Sequence, residues 1–186
     1  MNYLLTDEQS KRLKYRPLVP NDFEEWMSFF TDPSIARFLG MDPTKSQHEL
    51  NKQWFEFSQN RYNKDLGGMN VLEHKESGKI VGQCGILVQD LDGEPAIEIG
   101  YSLLPEYWGQ GYASEAAQKC RDYAFENNIT NTLISIIHID NVPSVKVAIR
   151  NGMKESKTTE FKGMPVNVYK ITIDEWKLLK SIRIKA

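Results

Sequence analysis

Two glycines, Gly109 and Gly111, stand between an apolar run that ends at Leu104 and an alanine-rich stretch with helical spacing. The segment reads Leu104-Pro-Glu-Tyr-Trp-Gly-Gln-Gly-Tyr-Ala113-Ser-Glu-Ala. Glycine lets a backbone come close to a ligand, and the first amides of a helix have no partner inside it. Together with the positive end of the helix dipole, such a bend is an anion site suited to a pyrophosphate. Ala113, Ala116, Ala117, Cys120 and Ala124 recur at i, i+3, i+4, i+7 and i+11, a small-residue stripe that lets the helix lie close to a sheet. A Walker loop needs a lysine that is missing here, and a dinucleotide fingerprint needs a third glycine where Ser114 stands. The plain alternative is a turn made by two glycines and nothing more.

Three further positions could carry chemistry. Glu98 lies inside the apolar run Ala-Ile-Glu-Ile-Gly-Tyr, and alternation puts it on one face with Gly100 and Ser102, opposite Ile97, Ile99 and Tyr101. A carboxylate in mid-strand serves as a general base, directly or through water, as an anchor for a cationic amine, or as half of a structural ion pair. Asn141 and Ser144 are one turn apart at a helix start, where Asn is a good N-cap and Ser is at home in the first turn. His138 reads as a base, a substrate contact or a hydrogen-bonded strand histidine. The histidines His48, His74 and His138 show no ligand spacing with Cys84 or Cys120, so no metal site is expected and the cysteines read as core. No Gly-x-Ser-x-Gly elbow exists, which fits direct attack without a covalent enzyme intermediate.

These residues need elements to hold them. Leu13 to Leu18 reads as a short strand that Pro17 ends or places at an edge. Asn21 or Asp22 should cap a helix with Phe23, Trp26, Met27 and Phe30 on one face. Asp32-Pro33 begins another helical turn, and Ser46-Gln-His-Glu49 is a capping box before a helix bearing Leu50, Trp54 and Phe57. Gly68–Lys75, Lys79–Val88 and Glu94–Leu104 read as strands joined by hairpin-length turns, hence antiparallel. A helix from Gly111 to Asn127, a buried strand from Thr132 to Ile139 and a short helix from Pro143 to Asn151 follow. Two strands, Met153–Phe161 and Pro165–Ile173, and a helix through Trp176 and Leu179 complete the chain. The fold class is α/β of the α+β type: a mixed, mostly antiparallel central sheet with helices on both faces, in one domain over residues 1–186.

Composition sets the outer bounds. The chain has 186 residues, 40% hydrophobic and 26% charged, which is globular rather than disordered. Lys+Arg total 23 and Asp+Glu total 25, a net charge of −2 that argues against a nucleic-acid partner. No secretion signal and no run of about 18 apolar residues is visible, so no membrane partner and a cytoplasmic location are expected. Lys and Arg are absent between Lys79 and Lys119, where Asp90, Asp92, Glu94, Glu98, Glu106 and Glu115 all fall. That acidic middle could attract a cationic amine, and the basic-rich run from Lys146 to Lys185 could lie near a phosphate; for any single residue an ordinary solvated face is the better explanation.

Leu104-Pro105 followed by Trp108-Gly-Gln-Gly-Tyr-Ala-Ser-Glu-Ala resembles the acyl-CoA-binding loop of the GNAT N-acyltransferase superfamily. Asn141-Val-Pro-Ser144 with Asn151-Gly152-Met153 resembles its second block. Arg16-Pro-Leu, Asp22-Phe and Asp32-Pro33 resemble the start of the branch that acetylates the N-terminal amine of ribosomal proteins. The resemblance covers about Leu13 to Trp176. It implies an acetyl-CoA co-substrate in a cleft where the strand ending at Leu104 splays from the strand ending at Ile139. It implies that the backbone of Leu103 and Leu104 holds the pantetheine, that the amides of Gly109, Gln110, Gly111, Tyr112, Ala113 and Ser114 hold the pyrophosphate, and that Asn141 contacts the CoA arm. Glu98 would then be the base and Ser144 the proton donor to the thiolate. Two departures stand out: Trp108 replaces the usual Arg or Gln, and Ala148 stands where many members carry a general-acid tyrosine. The implied acceptor is a primary amine, either a protein N-terminus or a small amine such as a polyamine or amino acid; a domain that binds CoA without turnover is the other reading. Monomer and dimer are equally open.

Overall fold

The computed structural model describes residues 2–184. Strand β1 (Leu13–Pro17) ends at its proline and forms one edge of the sheet, where a missing amide costs no ladder bond. The helix expected across Phe23 to Phe30 is broken. A 3-10 turn (Pro20–Asp22), helix α1 (Phe23–Trp26) and a second 3-10 segment (Met27–Thr31) take its place. Neither Asn21 nor Asp22 caps α1 with its side chain. The Asp22 carboxylate instead accepts from the Val19 amide at 2.9 Å and pairs with Arg16 at 2.8 Å. A tight 3-10 path brings residues three apart into line, and here it stacks Trp26 on Phe29 with ring centroids 4.6 Å apart. Helix α2 (Pro33–Phe38) starts at Asp32, whose side chain accepts from the Ser34 amide. Helix α3 (Gln47–Asn63) has the expected capping box: the Glu49 carboxylate accepts from the Ser46 amide at 2.9 Å, and the Ser46 hydroxyl accepts from the Glu49 amide at 3.3 Å.

Strands β2 (Gly67–His74), β3 (Ile80–Leu91) and β4 (Glu94–Leu103) form an antiparallel meander with β1. Then come α4 (Tyr112–Glu126), β5 (Thr132–His138), α5 (Val142–Arg150), β6 (Lys154–Phe161), β7 (Met164–Thr172) and α6 (Ile173–Ile184). The seven strands lie in the order β1-β2-β3-β4-β5-β7-β6. Every neighbouring pair is antiparallel except β4 with β5, which is parallel and registers at a single pair, Glu98 with Ile134. Elsewhere the pairing runs long: β3 and β4 match from Gly82↔Leu103 to Leu91↔Glu94. The sheet therefore opens between β4 and β5.

Two cores cover the two faces. On one, Trp26, Phe29, Phe30, Trp54 and Phe55 pack over Met69, Val71 and Leu87. On the other, α4 presses its small-residue stripe on the sheet, with Ala116, Ala117, Cys120 and Ala124 all fully buried. Each larger side chain on that stripe would have to push the helix off the sheet. Cys84 and Cys120 are buried free thiols whose sulfurs lie 3.5 Å apart. No helix among the described residues is long and apolar enough to cross a membrane.

Candidate active site

Beyond β4, a 3-10 turn (Pro105–Tyr107) leads into the two glycines. Gly109 and Gly111 adopt left-handed φ values of +73° and +81°, and Gly111 is the N-cap of α4. A Cβ at Gly109 would meet nothing within 4 Å, so backbone angle rather than crowding demands glycine there. The amides from Gly109 to Ser114 donate to no acceptor among the described residues. They form a row of unpaired donors at the positive end of a 15-residue helix.

That row is held from outside by a residue the sequence did not single out. Arg12 donates through Nη1 to the Gln110 carbonyl at 3.1 Å and through Nε to Glu115 at 2.6 Å, with its guanidinium 3.9 Å from the centre of the Tyr112 ring. Glu115 also accepts from the Arg12 amide and the Ser10 hydroxyl, each at 2.7 Å. Burial pushes the Glu115 carboxyl up, but these hydrogen bonds and the Arg12 charge hold it below its ordinary value. Trp108 is 49% exposed, and its indole N–H donates to the Leu103 carbonyl at 2.8 Å. Leu104 turns into the core. Its amide donates to Val81 at 3.0 Å and its carbonyl accepts from Tyr107 at 2.9 Å.

The gap between β4 and β5 opens into a cavity of about 1220 Å³. Glu98, Leu103, Gly109 through Ser114, Asn141 and Ser144 all line it, and Leu104 does not. The sequence thus names residues that meet in one place, save one. Glu98 is 9% exposed, and the cavity takes lining from both faces of β4, with Gly100 and Ser102 beside Glu98 and Ile99 and Tyr101 from the other face. Its carboxylate accepts from the Gln89 side-chain amide at 2.6 Å and from the Ile136 amide at 3.3 Å, so its partners are neutral donors and not a cation. Burial pushes the Glu98 carboxyl up, opposed by those two hydrogen bonds and by the charges of Lys162 and Arg61.

Where the backbone ladder stops, side chains bridge the gap. Ser135 donates to the Ile99 carbonyl at 2.8 Å, and Tyr101 donates to the Ser144 carbonyl at 2.8 Å. Tyr101 thereby fastens the first turn of α5 to β4. The Asn141 side chain accepts from the Ser144 amide at 3.2 Å and caps α5. His138 accepts from the Asp140 amide at 3.2 Å, with its ring against Phe38 at the cavity wall. Ala148 is fully buried and does not line the cavity. Ser135 had a signal in the sequence, a hydroxyl in the middle of the apolar run Leu-Ile-Ser-Ile-Ile. Tyr101 and Gln89 had none.

The charge pattern resolves differently from the expectation of an acidic middle. Of its six carboxylates only Glu98 lines the cavity; Glu115 is taken by Arg12, and Asp92 by Lys157 at 2.5 Å. On the basic side Lys154, Lys157 and Lys180 pair with Glu175, Asp92 and Glu126, while Lys146 and Arg150 of α5 line the cavity. Lys185 lies outside the described residues.

The chain matches the profile of the acetyltransferase (GNAT) domain over residues 12–154. It is 34% identical over 141 residues to YkkB of Bacillus subtilis (strain 168), covering 75% of this chain and 80% of that protein. An acetyltransferase structure from Agrobacterium tumefaciens str. C58 superposes with a TM-score of 0.74 at 27% identity, over 92% of this chain and 96% of that one. RimL, a ribosomal L7/L12 α-N-protein acetyltransferase solved with coenzyme A, shares the fold at a TM-score of 0.69 and 20% identity, over 91% and 98%. A spermidine N-acetyltransferase from Vibrio cholerae, solved with CoA and spermine, shares it at 0.68 and 16%, over 89% and 98%. The profile runs from β1 through α5, across both sides of the open seam, and the chain belongs to the GNAT family of acetyltransferases.

Proposed function

We propose that this protein transfers an acetyl group from acetyl-CoA to a primary amine, a protein N-terminal amine in the first instance, by direct attack. One observation carries the reading: a row of unpaired amides and a buried, hydrogen-bonded carboxylate share one cavity. Acetyl-CoA supplies an activated acetyl thioester. The amides of Gly109 to Ser114 match its pyrophosphate, and Lys146 and Arg150 add positive charge on the facing helix. Asn141 reaches the same space for the CoA arm. Of Leu103 and Leu104, only Leu103 lines the cavity, which supports it for the pantetheine contact; its carbonyl accepts from the Trp108 indole and keeps a second lone pair.

The amine must lose a proton before or during attack. An N-terminal amine has a pKa near 8, about two units below lysine, so a modest base suffices. Glu98, raised by burial, accepts that proton directly or through water. Ser144, whose backbone is fixed by Tyr101 and Asn141, passes its hydroxyl proton to the departing thiolate while it takes one from water, a role that Ala148 cannot take. Of the residues that resemble the N-terminal branch, Arg16 and Asp22 form an ion pair away from the cavity, and Asp32 caps α2 where it lines the cavity. A small-amine acceptor is the second reading, supported by the spermidine enzyme of the same fold. Mixing protein, acetyl-CoA and a panel of N-terminal peptides should release free thiol. Silence with every peptide and small amine would overturn the proposal, and spermidine competing out peptide turnover would favour the second reading.

A further inference from the structure

Another wall of the same cavity is made by α3 and by the turn between β6 and β7. The turn holds Lys162 in a left-handed conformation, φ +51°. Its ammonium lies 5.3 Å from the centre of the Phe57 ring and 5.1 Å from that of Phe161. The Arg61 guanidinium lies 5.4 Å from the same Phe57 ring. Arg61 is buried, and its head group is fixed on the carbonyls of Leu66 and Val88. Phe57, the aromatic ring that could have received an acceptor ammonium, therefore already carries two cations, and a third would meet their repulsion. Glu98 feels the charge of both Lys162 and Arg61, yet among the described residues no salt bridge joins Lys162 to it. The cavity thus holds the Glu98 carboxylate and the Lys162 ammonium, which act on each other through space without a salt bridge among the described residues; burial and the Arg61 charge lower the lysine's pKa, and Glu98 raises it.

We propose that Lys162 selects acceptors that carry a carboxylate close to the reacting amine. The amine faces Glu98, the carboxylate faces Lys162, and the apolar body lies along Phe57, Phe161 and Met164. This rests on the acetyl-transfer reading and narrows its substrate class. Such chemistry belongs to a free amino acid or to a peptide with an acidic residue next to its N-terminus. Polyamines are disfavoured, since their second ammonium meets Lys162.

The test measures thiol release for matched acceptors: a peptide with Asp at its second position and the same peptide with Asn, an amino acid and its amide, and spermidine. The wild-type kcat/KM should favour the acid form by about fivefold to tenfold, and added salt should shrink that preference. Lys162→Gln should bring the ratio to about one through the KM of the acid form, and Lys162→Glu should turn the preference toward spermidine. The larger ratio, in the peptide pair or the amino-acid pair, identifies the source. A wild-type ratio near one, or a ratio that survives Lys162→Gln, overturns this inference and leaves acetyl transfer standing. No thiol release with any acceptor overturns the acetyl-transfer reading and takes this inference with it. Lys162 sits on an exposed turn, so melting curves of the variants should overlay that of the wild type.

Discussion

The glycine-turn end and the Lys162 end of the cavity are made in different ways. The first is mostly backbone: six consecutive residues with free amides, two left-handed glycines and one clamp, Arg12. The second is all side chain, drawn from α3, from β3 and β4, and from the hairpin at Lys162. Under the proposed reading, the main-chain donors meet a group common to every acyl-CoA and tolerate change in side chains around them. Side-chain walls can be altered one residue at a time without disturbing the main-chain end. The contrast teaches why a family can keep its donor and vary its acceptor.

Mutations can break that division or sharpen it. Glu98→Gln should have the largest effect, lowering kcat about 10²- to 10⁴-fold at neutral pH while leaving CoA affinity intact by calorimetry. Because burial raises the Glu98 carboxyl, wild-type kcat/KM should climb with pH along a limb centred above the ordinary carboxylate value, and the variant should lack that limb. The same raised group contributes stability that is full below the unfolded carboxylate pKa and is lost as pH rises through the folded one. The Gln variant escapes that loss, so its melting temperature at pH 7 should match or exceed the wild type.

Gly111→Val comes next. A β-branched residue at φ +81° costs about 1–3 kcal/mol and moves the amide row, so CoA binding should weaken about 10- to 100-fold. Arg12→Gln should raise the KM for acetyl-CoA about fivefold and leave the KM for the acceptor unchanged; an equal rise in both would erase the distinction between the two ends. Tyr101→Phe should be mildest. It removes one hydrogen bond to the first turn of α5, costing about 0.5–1.5 kcal/mol by denaturant unfolding, with a kcat loss of only a few-fold.

The glycine turn and the helix after it were legible in the sequence because their requirements are local. Left-handed angles ask for glycine, and a helix packed on a sheet asks for small residues every turn, so both leave a mark within about twenty residues. The Arg12 clamp left none, since its partner Glu115 is 103 positions away. Glu98 was visible as a carboxylate among apolar neighbours, but its neutral partners Gln89 and Ile136 come from two other strands. The helix read across Phe23 to Phe30 failed because aromatic stacking on the sheet overrode the 3.6-residue period. The acidic middle resolved mostly into solvated or paired carboxylates, with only Glu98 at the cavity, because charge along a chain says nothing about which carboxylates find cations once folded. The strand read to Leu104 ends one residue earlier, at Leu103, and the Leu104 backbone is consumed by Val81 and Tyr107.

The solitary Glu98–Ile134 match between the two parts of the sheet has a thermodynamic corollary. Strands that diverge leave amides and carbonyls facing solvent, and an extended, amide-bearing guest can complete the pattern as though it were one more strand. Occupancy would then knit the two blocks of strands into a single cooperative unit, so saturation should raise the unfolding midpoint by mass action and slow deuterium uptake on both flanks of the seam together.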